Sequence, residues 1–274
     1  MAIVLSLLSA LAYGVSDFLG GIFAKRSTPW QVAVVGQSSS AVCAVTATCV
    51  VGWHAGSSDL AAGAIAGLGG GAGVAFLYRG LATARMGVVA PLSAVGAALL
   101  PVVFGLITGE RPSGLATAGI IAAFPAIVLI SKVVDDDPAH RGGVVDGILA
   151  GLGFGVLFLF LGRASADSGL APLAMSQLTS VLTVIAMAIA LRQAWIPDRT
   201  AVRAVVMGPL GASAQGAFLY ATHHGLLSVV SVISSLYPAS TVVLAAALLR
   251  ERIHRAQALG LALAALAVSL VALG

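Results

Sequence analysis

Few side chains in this 274-residue sequence are equipped for chemistry, and those lying inside apolar runs are fewer still. Asp17, in AYGVSDFLGG, is the most informative. It stands eight residues before Lys25, about 12 Å of helical rise, which is deep enough to leave a headgroup region. A charge placed there is expensive and marks a functional position by default. As a functional group, Asp17 binds a cationic moiety or takes up a proton, and so carries any coupling ion. The competing reading is a structural ion pair, with Arg79 as its counter-ion.

Three glutamines share this character. Gln37, in GQSSS, and Gln177, in MSQLTS, lie 140 residues apart, each beside serines. An amide inside a span either bonds to a neighbouring helix, for about 1 kcal/mol, or faces a cavity. The cavity is the expectation for this matched pair. Gln215 is read the same way. Tyr78 closes one FLY triplet and Tyr220 another. Tyr at a helix end often anchors the interface, but Tyr78 also stands among the candidate substrate contacts. Ser234 and Tyr237 precede Pro238 in SSLYPAS, where the missing amide frees a carbonyl and loosens the turn; Pro91 invites the same reading. The substrate-binding set expected from sequence is therefore Asp17, Gln37, Gln177, Gln215, Tyr78, Ser234 and Tyr237.

Other constellations are poorer. His223 and His224 are adjacent, so on a helix they point about 100° apart and make a weak metal pair. No metal site and no cofactor are expected. Glycine-rich GAIAGLGGGAG lacks the Gly-Lys-Ser/Thr of a phosphate loop, and reads instead as a surface for close helix approach. Cys43 and Cys49 are six positions apart, about 9 Å along a helix, too far for a disulfide.

The elements that position these residues follow from composition. The chain is 59% hydrophobic and 9% charged, with mean hydropathy +1.05, whereas a soluble domain carries about 25% charge. Lipid must cover most of the outside, and no period-2 alternation suggests barrel strands. The basic residues fall singly or in pairs between apolar runs rather than in a patch interleaved with aromatics, so no nucleic-acid partner is expected. The first run lacks a basic leader and a small-residue cleavage site, and reads as a retained helix.

Apolar runs place ten helices at about 2–24, 31–53, 60–79, 86–108, 113–132, 143–163, 171–191, 202–221, 225–249 and 256–273. The longest polar interruption is VDDDPAHR. Across it the sequence repeats: FLY at Phe76 recurs 142 residues later at Phe218, and Glu110-Arg111 recurs 141 residues later at Glu251-Arg252. AYGV at Ala12 matches GFGV at Gly153, which sets Asp17 opposite Phe158. The expected fold is thus all-α and integral to the membrane, with a first five-helix repeat over 1–133, a polar connection at 134–142 and a second repeat over 143–274. Five is odd, so the second copy enters from the other side and the repeats are inverted. That construction belongs to secondary transporters with a midplane site.

Twelve of the 14 Lys and Arg fall in the odd-numbered connections. The positive-inside rule then places those connections in the cytoplasm and both termini outside.

Two five-helix halves, each with Glu-Arg between its fourth and fifth helices and with Pro101 or Pro238 upstream, resemble the EamA-type family of the drug/metabolite transporter superfamily. LITGERPS at Leu106 to Ser113 carries the resemblance best. LLRERIHR at Leu248 to Arg255 departs from it by placing Arg250 where the first copy has Gly109. The resemblance implies a ten-span, multi-pass carrier of the bacterial inner or plasma membrane, often an exporter of amino acids, metabolites or toxic compounds, and implies no one substrate. With the inverted repeat, the expected function is secondary transport of a small metabolite, an amino acid, amine or drug-like compound, by alternating access. The resemblance also implies cytoplasmic termini, against the charge count, which is given slightly more weight here. Partners are then a small-molecule substrate and membrane lipid, with a homodimer left open. A channel would need rings of polar groups, and a membrane-embedded lipid-modifying enzyme would need converging acid, base or metal groups; the spans offer little beyond Asp17 and Asp146. Glu110 and Glu251 read as helix caps or as ion pairs with the following Arg.

Overall fold

The computed structural model describes residues 1–52, 54–83, 86–130, 142–249 and 253–274. Apolar runs have only their own amides to bond with in lipid, and among the described residues they are helical, with no strands. The helices are α1 (Ala2–Ala24), α2 (Pro29–Val51), α3 (Ser57–Thr83), α4 (Met86–Ile107), α5 (Gly114–Ile130), α6 (Gly142–Leu161), α7 (Ala171–Ala190), α8 (Met207–Thr222), α9 (Leu227–Ser234), α10 (Tyr237–Leu249) and α11 (Arg255–Leu273). Among the described residues, seven stretches are long and apolar enough to cross a membrane, α9 and α10 counting together. Leu92–Ile107 and Gly114–Ile130 are shorter apolar helices.

Three elements depart from the expected boundaries. α3 runs on to Thr83, so Tyr78 sits inside the helix rather than at its end. The eighth segment begins as a 3-10 turn, Ala201–Val206, before α8. The ninth is broken at Ser235 and Leu236, because Pro238 has no amide to return to the Ser234 carbonyl. The polar connection, except for Gly142, and Glu251 lie outside the described residues.

Contacts between connections define two ends of the molecule. At one, Thr28 Oγ1 donates to the Ala194 carbonyl at 3.0 Å and Ser27 Oγ to Asp198 at 3.1 Å. This is the basic end. At the opposite end, Asp59 accepts from the Ser165 amide and hydroxyl at 3.0 and 2.7 Å, and Glu110 accepts from the Leu227 and Ser228 amides at 2.7 and 3.0 Å. Thr28 also opens α2 with a capping box to Gln31, behind Pro29 at the first helical position.

Packing joins the halves of the sequence rather than separating them. α1 lies on α8, α9 and α10, and α6 on α3 and α4; α2 packs against α7 and α8, and α7 against α2 and α3; α4 meets α9, and α5 meets α11. Along α3, Gly63, Gly67 and Gly71 lie against the α7 backbone at Pro172, Ser176 and Ser180, with no space for a Cβ. The small residues thus bring backbones together as the glycine spacing implied. Phe158 and Phe218 stack at 4.3 Å in the interior. Leu8, Val42, Ile121, Leu182 and Leu266 are among the exposed apolar side chains, the surface a lipid solvent requires.

Candidate functional site

One central cavity collects most of the polar residues singled out from sequence. Five helices line it: α1 with Tyr13, Ser16 and Asp17; α2 with Gly36, Gln37 and Ser40; α3 with Gly70, Val74 and Tyr78; α6 with Phe154 and Leu157; and α8 with Met207, Gly211 and Gln215. Its unfilled space, mouth included, is about 490 Å³. The lining falls in the C-terminal parts of α1 and α3 and the N-terminal parts of α2 and α8, so the cavity lies between the middle of the bundle and the basic end.

Helical periodicity explains the composition of each wall. On α1, Tyr13, Ser16, Asp17 and Gly20 recur at three- and four-residue intervals and share a face. A Cβ on Gly20 would stand 2.5 Å from the Tyr78 ring, so glycine there is what lets α3 lay Tyr78 against α1. On α2, Gln37 and Ser40 are one turn apart, and Ser40 Oγ donates to the Gly208 carbonyl of α8 at 2.8 Å. Gln37, Gln215 and Tyr78 are 8%, 6% and 3% exposed.

Four of the expected residues therefore meet: Asp17, Gln37, Gln215 and Tyr78. Three do not line the cavity. Gln177 is fully buried on α7, and neither amide atom has a partner among the described residues. Ser234 is fully buried with an unpartnered hydroxyl. Tyr237 lies behind the wall, its ring 6.3 Å from Tyr13 and its hydroxyl 2.6 Å from Ser93 Oγ.

Arg79 requires a correction. It is not the counter-ion of Asp17: its Nε donates to Asp146 Oδ1 at 2.9 Å, with a second bond from Nη2, and its guanidinium lies 4.8 Å above the Phe76 ring. Asp146, five residues into α6, neutralises it. Among the described lining residues Asp17 is consequently the single carboxylate, and none is Lys, Arg or His. Tyr13, Ser16 and Ser40 were not singled out; the signal for them was their spacing from Asp17 and Gln37 along the same helix faces.

The remaining candidates have structural partners. His223 Nε2 lies 3.1 Å from the Ala164 carbonyl and His224 Nδ1 2.8 Å from that of Tyr220. Tyr220 is 42% exposed and meets His223 edge-on. Glu110 does cap a helix, but a distant one, α9. Outside the bundle, the Ala201 amide and the Ser27 hydroxyl hold the Asp198 carboxyl below the usual carboxylate range.

An all-helical bundle with an apolar exterior and a secluded polar cavity defines a multi-pass membrane protein. Residues 141–273 match the model of the EamA-like transporter family, a family of the drug/metabolite transporter superfamily. Its members are transporters rather than enzymes. One solved crystal structure of a protein superposes over 99% of this chain and 96% of its own length, with TM-score 0.77 and 16% identity, and shares the fold. No curated protein matches the sequence.

Proposed function

We propose that the protein is a secondary carrier that moves a small metabolite bearing a protonated amine across the membrane by alternating access. The observation that carries this reading is Asp17: a carboxylate in a cavity built from helices of both halves, with no cation among the described lining residues. In a poorly solvated site such a charge needs a partner, and a bound ammonium group or a proton supplies it. Tyr13, Tyr78 and Phe154 add aromatic surface that favours an organic cation. Gln37 and Gln215 offer amides to orient the rest of the solute. An amino-acid carboxylate would find no charged partner among these residues, which favours an amine over a zwitterion.

Two inverted five-helix repeats, 1–133 and 143–274, supply the mechanics. Exchanging each helix of the first half for its counterpart in the second turns α1 on α8 into α6 on α3, and α2 on α8 into α7 on α3, pairings that both occur. α2 with α7, α4 with α9 and α5 with α11 map onto themselves. A pseudo-twofold in the membrane plane produces this pattern, and rocking about it exposes one site to either side. The basic end faces the cytoplasm of a bacterial inner or plasma membrane, following the loop charges. Proton coupling, where present, runs through Asp17.

Reconstituted protein tests the reading. Saturable uptake of amines that trans-loaded substrate accelerates identifies a carrier, whereas unsaturable flux identifies a channel. Thermal-shift screening of amines, amino acids and nucleosides should select amines.

A further inference from the structure

Helix α9 is nearly encased, with seven of its eight residues buried, yet it carries serines. At 100° per residue, Ser228, Ser231, Ser234 and the capping Ser235 fall within about 120° of its circumference, while Val229, Val230 and Ile233 occupy the other side. All four hydroxyls are 0% exposed and unpartnered among the described residues. A buried hydroxyl left unbonded costs roughly 1–3 kcal/mol, so a helix with this face is at ease only where water or a polar solute reaches it. The repeat does not demand most of these serines: at the 142-residue offset of the FLY triplets, the positions matching Ser228, Ser231 and Ser234 are Met86, Val89 and Leu92, and Ser235 alone keeps a serine, Ser93.

Helix α1, which packs against α9, carries groups of the same kind. On α1, Ser9 Oγ and Tyr13 OH are likewise buried and unpartnered, and Tyr13 lines the cavity. α1 runs parallel to α9, with Ala2 beside Gly225 and Gly14 beside Tyr237. Ser9 therefore lies between the cavity and the end opposite the basic one, at about the level of Ser231. At that end Glu110, from the connection between α4 and α5, holds the first two amides of α9. A carboxylate on a helix N-terminus is a strong clasp. Gly105 leaves room for that carboxylate, which a Cβ there would strike.

We infer that the serine face of α9, with Ser9 and Tyr13, walls a second polar chamber, closed in this structure. It opens toward the end opposite the basic one when Glu110 releases α9, and it passes the amine-bearing solute held by Asp17. This rests on the carrier reading, but its test reads accessibility rather than flux. In a Cys43→Ala, Cys49→Ala background, Ser231→Cys and Val230→Cys proteins in vesicles of either orientation are treated with a membrane-impermeant methanethiosulfonate. Ser231→Cys should react from the end opposite the basic one only, Val230→Cys should not react, and Glu110→Gln should raise the Ser231→Cys rate roughly tenfold by weakening charge-assisted bonds. Gly105→Ala, which displaces the same carboxylate, should act in the same direction and serves if Glu110→Gln does not fold. Ser231→Cys staying unreactive in every background, or matching Val230→Cys, overturns the chamber even where transport persists. Reactivity as expected without saturable transport overturns only the carrier reading.

Discussion

Arg79 on α3 and Asp146 on α6 satisfy each other. Two guanidinium nitrogens converge on one carboxylate oxygen, with the Asp146 side chain 6% and the Arg79 side chain 35% exposed. The pair ties helices from opposite halves of the sequence, and it withdraws from the cavity the cation nearest in sequence to Tyr78.

Removing Arg79 strands a buried carboxylate. Arg79→Gln should cost about 2 kcal/mol, between the values for surface and buried pairs because the arginine is partly exposed. Combining it with Asp146→Asn should recover part of the loss, as thermal melting in detergent will read. Strictly additive losses would show that the two groups do not act together.

Asp17→Asn removes the negative charge with little change in shape. Insertion and melting temperature should hold while accumulation of amines in proteoliposomes disappears. If Asp17 also carries the proton, pH dependence should vanish from any residual exchange. A mutant that keeps the wild-type pH profile rules out the proton role.

Acid should loosen the connection between α7 and α8. The folded Asp198 carboxyl is held below its unfolded value by the Ala201 amide and the Ser27 hydroxyl. Its stabilising contribution is therefore complete above the ordinary carboxylate value of about 4 and fades as pH falls through the lowered one. The protection factors of residues 199–203, with the intrinsic pH dependence of exchange divided out, should fall below about pH 4 in the wild type. In Asp198→Ala, which removes the acceptor, protection there should be low at every pH.

Gly67→Val tests the contact between α3 and α7. A Cβ at Gly67 would collide with the Ser176 backbone and with the Thr179 hydroxyl; the hydroxyl can rotate aside, but the backbone cannot withdraw without moving a helix. A loss of about 1–3 kcal/mol, or failure to fold, is expected. Gly56→Ala, where only Ser58 Oγ comes within 4 Å, should be tolerated.

Much of this was legible in the sequence. Hydropathy and length locate α1, α2 and α7 within two residues at each end, because lipid enforces both at once. Asp17, Gln37 and Gln215 stood out because an amide or carboxylate is conspicuous among apolar neighbours, and all three reach the cavity. What sequence did not supply was rotation. Gln177 matches Gln37 in the repeat yet turns away from the cavity, and nothing in a hydropathy profile fixes the azimuth of α7. Arg79 lay near enough in sequence to suggest Asp17 as its partner, whereas Asp146, 67 residues away, depends on how α3 meets α6. The division of the ninth segment was signalled by Pro238, but the burial of its serines follows from α1 and α4 closing around it.

The glycine seam along α3 has a mechanical consequence. Where backbone touches backbone, no side chain can change rotamer to absorb a displacement, so α3 and α7 must travel as one piece. α6, seated on the other side of α3 through Gly69 and Gly153, goes with them. A rigid body of α3, α6 and α7 is therefore not one continuous stretch of chain. It joins helices from either side of the polar connection, so a displacement begun in one half of the sequence is carried straight into the other.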